Sequence, residues 1–279
     1  MKVMCQDRFI KVIDQSTGKP IEYCTVTCSG SRVGGFTDKF GLLKIKNQSA
    51  CGTVLFNAMG YEKQAVDLSS LPLDGDTMVC RLLVVPIQLD GVVIKSSKRN
   101  VSKKSYQLGF YRAKKQVHDG TGYVGRTNAL FIPNIKKDAS IKIEKLIYSI
   151  AASKTSTVRL QVFGKSPKGT PGASLISDNL IVEVRKGDDR IVYDISKYNL
   201  FMPSEGVFIS IQWLGEVNSV GKTINVSPVI YSHRDKGHNL VYFKFLDREW
   251  QESKSSDLNT NKPMRLIVPN FGISVVEYK

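Results

Sequence analysis

Apolar and polar residues alternate in short bursts along residues 1–95. "RFIKVID" (8–14), "PIEYCTVTC" (20–28), "LLKIK" (42–46), "GTVLFNAMGY" (52–61), "KQAVDL" (63–68), "TMVCRLLV" (77–84) and "GVVIKS" (91–96) carry the pattern. A period of two sends successive side chains to opposite faces of an extended chain, so each burst predicts a strand with one face in a core. "STGK", "GSRVGG" and "FTDKFG" separate the bursts, and no segment shows the 3.6-residue period of a helix. Strands at this spacing predict a small β-sandwich.

The alternation resumes after residue 120. "NALFIPN" (128–134), "IKIEKLIYSIA" (141–151), "TVRLQVFG" (157–164), "GVFISIQWLG" (206–215), "VSPVIY" (226–231), "LVYFKF" (240–245) and "PMRLIVPNFG" (263–272) read as strands. "LIVEVRKGDDRIVYDIS" (180–196) reads as a hairpin turning at Gly187 and Asp188. Strands of this number with long connections predict a jelly-roll-like sandwich. The chain is therefore expected to be all-β, with one sandwich over 1–95, a basic linker over 96–119 and a second sandwich over 120–279.

Turn chemistry accounts for the residues between the first strands. Gly18 and Gly41 supply backbone freedom, Pro20 stiffens a strand entry, and Asp38 is expected to hydrogen-bond its own turn. The order "KVIDQSTGKPIEYCTV", "GGFTDKFGLLKI", "VLFNAMGYEKQAVDL", "LDGVVIKS" resembles the carboxypeptidase regulatory-like domain. Asp14, Thr17, Gly18, Pro20, Thr37, Asp38, Gly41, Gly60 and Tyr61 stand where that family's pattern places them, over roughly residues 8–95. The resemblance implies a transthyretin-like, seven-stranded sandwich without catalytic residues, of the kind that precedes the plug of TonB-dependent outer-membrane receptors. It also implies export in a Gram-negative bacterium of the Bacteroides type. Residues 158–215 resemble a recurrent β-sandwich found behind that domain, which has no assigned activity.

Charge changes the picture at one place. The chain of 279 residues carries a net charge of +15. Residues 95–119 hold eight Lys/Arg against Asp119 alone, whereas residues 1–94 are nearly neutral. A basic segment of this kind is either a solvated linker or, through residues 95–115, a contact for an anionic polymer. No zinc-finger spacing, aromatic RNA-binding motif or basic recognition helix points to specific nucleic-acid binding. No apolar run reaches the roughly 18 residues that cross a bilayer. The N-terminus "MKVMCQDRF" has no apolar signal core. Cys5 as a lipid-modified residue would require a small residue where Met4 stands.

The five cysteines, Cys5, Cys24, Cys28, Cys51 and Cys80, all lie in the first third. Cys24 and Cys28 on one extended strand would stand about 13 Å apart, beyond the reach of a disulfide. They read as small buried apolar groups, with a pair such as Cys28 to Cys51 or Cys80 left open. No C-x-x-C or histidine nearby suggests metal, and neither a metal nor a cofactor is expected.

"GTGYVG" (120–125) satisfies G-x-G-x-x-G, but a basic segment precedes it and a strand-like run follows, so the helix that would hold a pyrophosphate is missing. No nucleophile elbow, phosphate loop or zinc-protease motif occurs. "SHRDKGH" brings His233, Asp235 and His238 close in sequence and reads as a polar loop. Trp213 continues the apolar face of Val207, Ile209 and Ile211 and reads as core. Trp250, in "DREWQES", has two readings: packing, or a flat platform for a sugar ring. Trp250 and Arg248, with His233, Arg234 and Asp235, are thus the candidate binding surface. The sequence points to a non-enzymatic accessory binding or assembly module outside the cytoplasm, contacting an envelope protein or glycan. The alternatives are a hydrolase with a loop-assembled site and an anionic-polymer binder.

Overall fold

A computed structural model describes residues 8–30, 33–45, 52–74, 76–85, 102–110, 117–119, 122–136, 139–215, 225–235, 239–253 and 266–278. Regular structure in these residues is β apart from two single 3-10 turns. The expected all-β class holds, as several sheets packed in sandwiches.

The N-terminal strands are β1 (Arg8–Asp14), β2 (Thr25–Cys28), β3 (Gly34–Phe36), β4 (Leu42–Ile45), β5 (Thr53–Asn57), β6 (Gln64–Asp67), β7 (Leu73–Asp74) and β8 (Thr77–Leu82). They make two four-stranded sheets, ordered β4-β1-β8-β7 and β3-β2-β5-β6. Ile10, Val12, Val26, Phe56, Met78 and Leu82 fill the space between them. The turn residues act structurally. The Asp14 carboxylate accepts the Ser16 and Thr17 N–H groups at 2.8 Å and the Tyr61 hydroxyl at 2.9 Å. Asp38 accepts Phe40 and Leu42 N–H at 2.9 Å. The buried Thr37 hydroxyl donates to the Ile21 carbonyl at 2.6 Å and accepts Cys24 N–H at 2.8 Å. Gly41 has φ +72°, and a Cβ there would lie 2.4 Å from the Val12 carbonyl oxygen, so only glycine fits.

The strand expected over 20–28 starts only at Thr25. Tyr23 adopts φ +56°, a left-handed conformation that breaks an extended run. Cys24 and Cys80 are free and buried, and Cys28 is disulfide-bonded. Cys28 therefore pairs with neither of them. Cys5 and Cys51, the two cysteines left, lie outside the described residues, as do His238 and the strand expected at 91–96.

The C-terminal strands are β9 (Lys103–Gly109), β10 (Val117–Asp119), β11 (Gly122–Tyr123), β12 (Arg126–Pro133), β13 (Ser140–Ala151), β14 (Ser156–Lys165), β15 (Pro171–Ser174), β16 (Leu180–Val184), β17 (Arg190–Asp194), β18 (Gly206–Trp213), β19 (Asn225–Val226), β20 (Val229–Asp235), β21 (Val241–Phe245), β22 (Gln251–Glu252), β23 (Leu266–Pro269) and β24 (Phe271–Tyr278). One large sheet runs β10-β20-β13-β24-β9, with β17 and β23 alongside. The other runs β15-β14-β18-β12-β21-β22, with β16 on β14. Leu130, Leu160, Ile209, Ile211, Ile273 and Trp213 lie in the shared core. The Trp213 indole N–H donates to the Pro228 carbonyl at 2.8 Å, which makes this tryptophan the core residue the sequence suggests.

Three expectations need correction. Part of the stretch read as a linker, 96–119, is strand: β9 pairs with β24 along its whole length, and β10 pairs with β20. In "KKSYQLG" Tyr106 and Leu108 pack on the core while the lysines stay exposed, so a period of two is present beneath the charge. Second, β16 and β17 are not a hairpin. β16 pairs with β14 and β17 with β13, so the chain at Arg185–Asp189 crosses from one sheet to the other. Gly187 N–H donates to the Ala152 carbonyl at 2.9 Å and Ile150 N–H to the Asp189 carbonyl at 2.9 Å, tying the crossover to the end of β13. Alternation alone does not tell a hairpin from such an arch. Third, Ser232–Asp235, read as part of a loop, lie within β20. The "GTGYVG" stretch leads into β12, a strand, in keeping with its reading as a chance match.

Candidate functional site

In an antiparallel sheet, directly paired residues share a face. The register of β14, β18, β12 and β21 therefore sets three rows on the face turned away from the C-terminal core. The first is Arg159, Gln212, Thr127 and Lys244; the second is Gln161, Ser210, Ala129 and Tyr242; the third is Phe163, Phe208 and Phe131. Such a face would ordinarily meet water. Here every residue of β18 is buried, on both faces.

The N-terminal sandwich covers the polar end of this face. Phe36 and Tyr23 form an apolar cluster with Val124, Leu214 and Leu246. Gly34 allows the approach, since a Cβ there would stand 3.0 Å from Leu246 Cδ1 and 2.4 Å from the Val26 carbonyl oxygen. Arg159 Nη2 donates to the Tyr23 carbonyl at 2.6 Å. Asp247, in the turn after β21, accepts Asn57 Nδ2 at 2.7 Å and pairs with Lys63 Nζ at 2.5 Å. Among the described residues three non-glycine residues have positive φ, and two of them, Tyr23 and Leu246, lie at this junction. Backbone strain of this kind persists where the surroundings over-determine it.

The cover is incomplete. A cavity of about 330 Å³ remains between the two sandwiches. Arg159, Gln161, Phe163, Gln212, Lys244 and Trp250 line one wall, and Thr25, Asn57, Met59 and Tyr61 line the other. Trp250 is half-buried; it meets Phe163 edge-on at 5.7 Å and carries the Lys244 ammonium 4.8 Å from its ring centre. Thr25 reaches the cavity because alternation in β2 turns it away from Val26 and the N-terminal core.

The charges of this cavity are unbalanced. Arg159 is 5% exposed, and burial lowers its pKa to about 10. Nη1 donates to Gln212 Oε1 at 3.0 Å, while Nε has no acceptor. Burial likewise lowers the pKa of Lys244, opposed by the Asp247 carboxylate. Asp247 is itself engaged by Lys63 and Asn57. Among the described residues lining the cavity none is Asp or Glu.

The residues picked out from sequence separate into two places. Trp250 lines the cavity. Arg248 is exposed in the neighbouring turn and is not one of the lining residues. His233, Arg234 and Asp235 belong to β20, in the other large sheet, and pair with β23. The His233 ring packs against Phe110 at 4.8 Å and its Nδ1 is 2.7 Å from Asn270 Oδ1; Asp235 accepts Asn239 Nδ2 at 2.5 Å. These are contacts within one sandwich, away from Trp250. Among the described residues, no group of three His, Cys, Asp or Glu is placed to hold a metal ion. Sequence reading missed Arg159, Gln212 and Lys244. Each is an ordinary outward position of an alternating strand, and only the second sandwich makes it part of a cavity.

No protein-family model matches the chain, and no curated protein does. Among solved structures it is similar to a candidate carbohydrate-binding protein from Bacteroides uniformis, with 13% identity over 84% of this chain and 97% of that one and a TM-score of 0.21. A DUF3823 family protein from Parabacteroides merdae shows 14% identity over 75% and 98%, with a TM-score of 0.18. The major pilin subunit of Bacillus cereus shows 11% identity over 92% and 74%, with a TM-score of 0.18. Likeness at this level assigns no ligand.

Proposed function

We propose that this chain is a non-enzymatic binding module of the bacterial cell envelope that takes the end of a glycan into the cavity between its sandwiches. The observation that carries the reading is that cavity, walled by Trp250 and by side chains of both polarities of hydrogen bonding. Its volume lies at the lower end of the range for small-ligand sites. Gln161, Gln212, Thr25 and Asn57 can serve sugar hydroxyls, and an indole offers apolar area with little rotamer entropy to lose. Glycoside hydrolysis needs paired carboxylates, and the described lining residues include none, which favours binding over the hydrolase alternative.

The envelope setting is supported by the disulfide at Cys28, since such bonds persist in oxidising compartments. The resemblance of residues 8–95 to the carboxypeptidase regulatory-like domain supports it as well. In this reading the first sandwich is a transthyretin-like unit, the second a jelly-roll-like unit beginning at β9, and the ligand sits where they meet.

Titration of the full chain with neutral and acidic oligosaccharides, followed by tryptophan emission, tests the proposal. Binding is expected to shift the emission of the native protein. In Trp250→Phe the shift should disappear and affinity should fall roughly tenfold or more, the scale for losing an interface anchor. The core Trp213 remains as a reporter that the fold is intact. Saturable binding unchanged by Trp250→Phe would place the site elsewhere.

A further inference from the structure

The glycan reading leaves open what kind of sugar the cavity selects, and its charges bear on that question. A buried cation without a counter-ion is costly, and proteins ordinarily pair it or neutralise it. Arg159 is such a group, and the half-buried Lys244 stands in the same row. Arg159 is almost fully buried, and its two partners are neutral oxygens, from Gln212 and from the Tyr23 carbonyl. Its Nε points a third donor at nothing. Lys244 makes a ring contact with Trp250 and has no hydrogen bond or ion pair to a carboxylate among the described residues. Two acids act on Lys244 from nearby, Asp247, which is engaged by Lys63 and Asn57, and Glu249, and neither makes an ion pair with it. Arg159 and Lys244 stand at the two ends of one row across the sheet, with Gln212 and Thr127 between them. The Thr127 hydroxyl is also buried without a partner.

A structural role does not explain this row. Arg159 braces the junction through the Tyr23 carbonyl, but Lys244 braces nothing: its ammonium is turned to the cavity side of the sheet and lies on the indole. A ring face orients a cation without neutralising it. One buried and one half-buried positive charge, with no carboxylate among the described lining residues, favour an anion in the cavity.

We infer that the junction cavity selects an acidic saccharide, one whose terminal residue carries a carboxylate or a sulfate, with the anion held by Lys244 in the field of Arg159 and the sugar ring beside Trp250. This inference rests on the glycan reading given above. It narrows that reading to one class of ligand. A carboxylate or sulfate can accept from Lys244 in a charge-assisted hydrogen bond, which is stronger than one made by a neutral hydroxyl, and the Arg159 charge adds to the attraction. It differs from attraction by the exposed lysines of β9, which would be diffuse, screened by salt and indifferent to the sugar.

The test uses an array of neutral oligosaccharides with their carboxylated and sulfated counterparts, probed at physiological salt with the full chain and with Lys244→Gln and Trp250→Ala. The inference predicts that acidic members bind at least tenfold better than their neutral partners and that Lys244→Gln removes this preference. It also predicts a melting temperature for unliganded Lys244→Gln equal to or above that of the native protein, because the substitution removes a half-buried charge that has no ion-pair partner among the described residues. Comparison of the carboxylated and sulfated members identifies the anion. Binding of neutral sugars that Trp250→Ala abolishes and Lys244→Gln leaves intact would overturn the acidic selectivity while the glycan reading stands. Acidic binding insensitive to Lys244→Gln would overturn it too, in favour of the β9 lysines. Absence of binding to any member would remove both.

Discussion

Single residues in this protein do work that their type announces only in part. Asp38 and Gly41 were legible from sequence as turn chemistry, Asp14, Thr37 and Tyr61 only as positions of the family pattern, and each closes a turn or bridges two strands. The cysteines were legible as small buried groups, which holds for Cys24 and Cys80, and to the point of excluding a Cys24–Cys28 bridge. Burial raises the thiol pKa of Cys24 and Cys80 to about 12, so neither ionises near neutrality. Because the thiolate is the reactive form, both are inert in the native state. Iodoacetamide at pH 8 is expected to leave Cys24 and Cys80 unlabelled until the protein is denatured, when both should react without prior reduction. Peptide mapping should find Cys28 linked to Cys5 or Cys51. A bridge from Cys28 to Cys24 or Cys80 would contradict the strand assignments of the first sandwich.

At the scale of elements, strands with clean alternation were read well, and errors fell where another signal masked the period or where pairing is non-local. β9 was hidden by its charge. Lysines at a sheet edge keep the strand from recruiting another chain, so a basic run and an edge strand are compatible. Its pairing with β24 predicts that alternate amides of residues 104–109, those facing β24, exchange slowly and that trypsin is retarded at Lys103 and Lys104 relative to the denatured chain. A first tryptic cut at either lysine in the native protein would contradict the strand. The arch between β16 and β17 was missed for a different reason: Gly187 permits a tight reversal, but which sheet receives the next strand depends on residues far away in sequence. Trp213 and Trp250 show the same limit. The first continues an apolar stripe and was placed correctly; the second follows a turn among charges, and its neighbours Phe163 and Lys244 come from two other parts of the sheet.

At the scale of the molecule, the all-β class and the presence of two sandwiches follow from periodicity, whereas the candidate site does not. Its walls come from β2, β5 and the Asn57–Tyr61 segment on one side, and from β14, β18, β21 and Trp250 on the other. No local motif encodes a surface that exists only when two sandwiches meet. The central claim is therefore that both sandwiches contribute to one binding cavity. Hydrogen–deuterium exchange on the full chain, with and without the tightest-binding saccharide of the array, tests it most directly. The account predicts protection on binding in both Asn57–Tyr61 and Lys244–Trp250, with no change along Lys103–Gly109. Protection confined to one sandwich, or to the β9 edge, would contradict it.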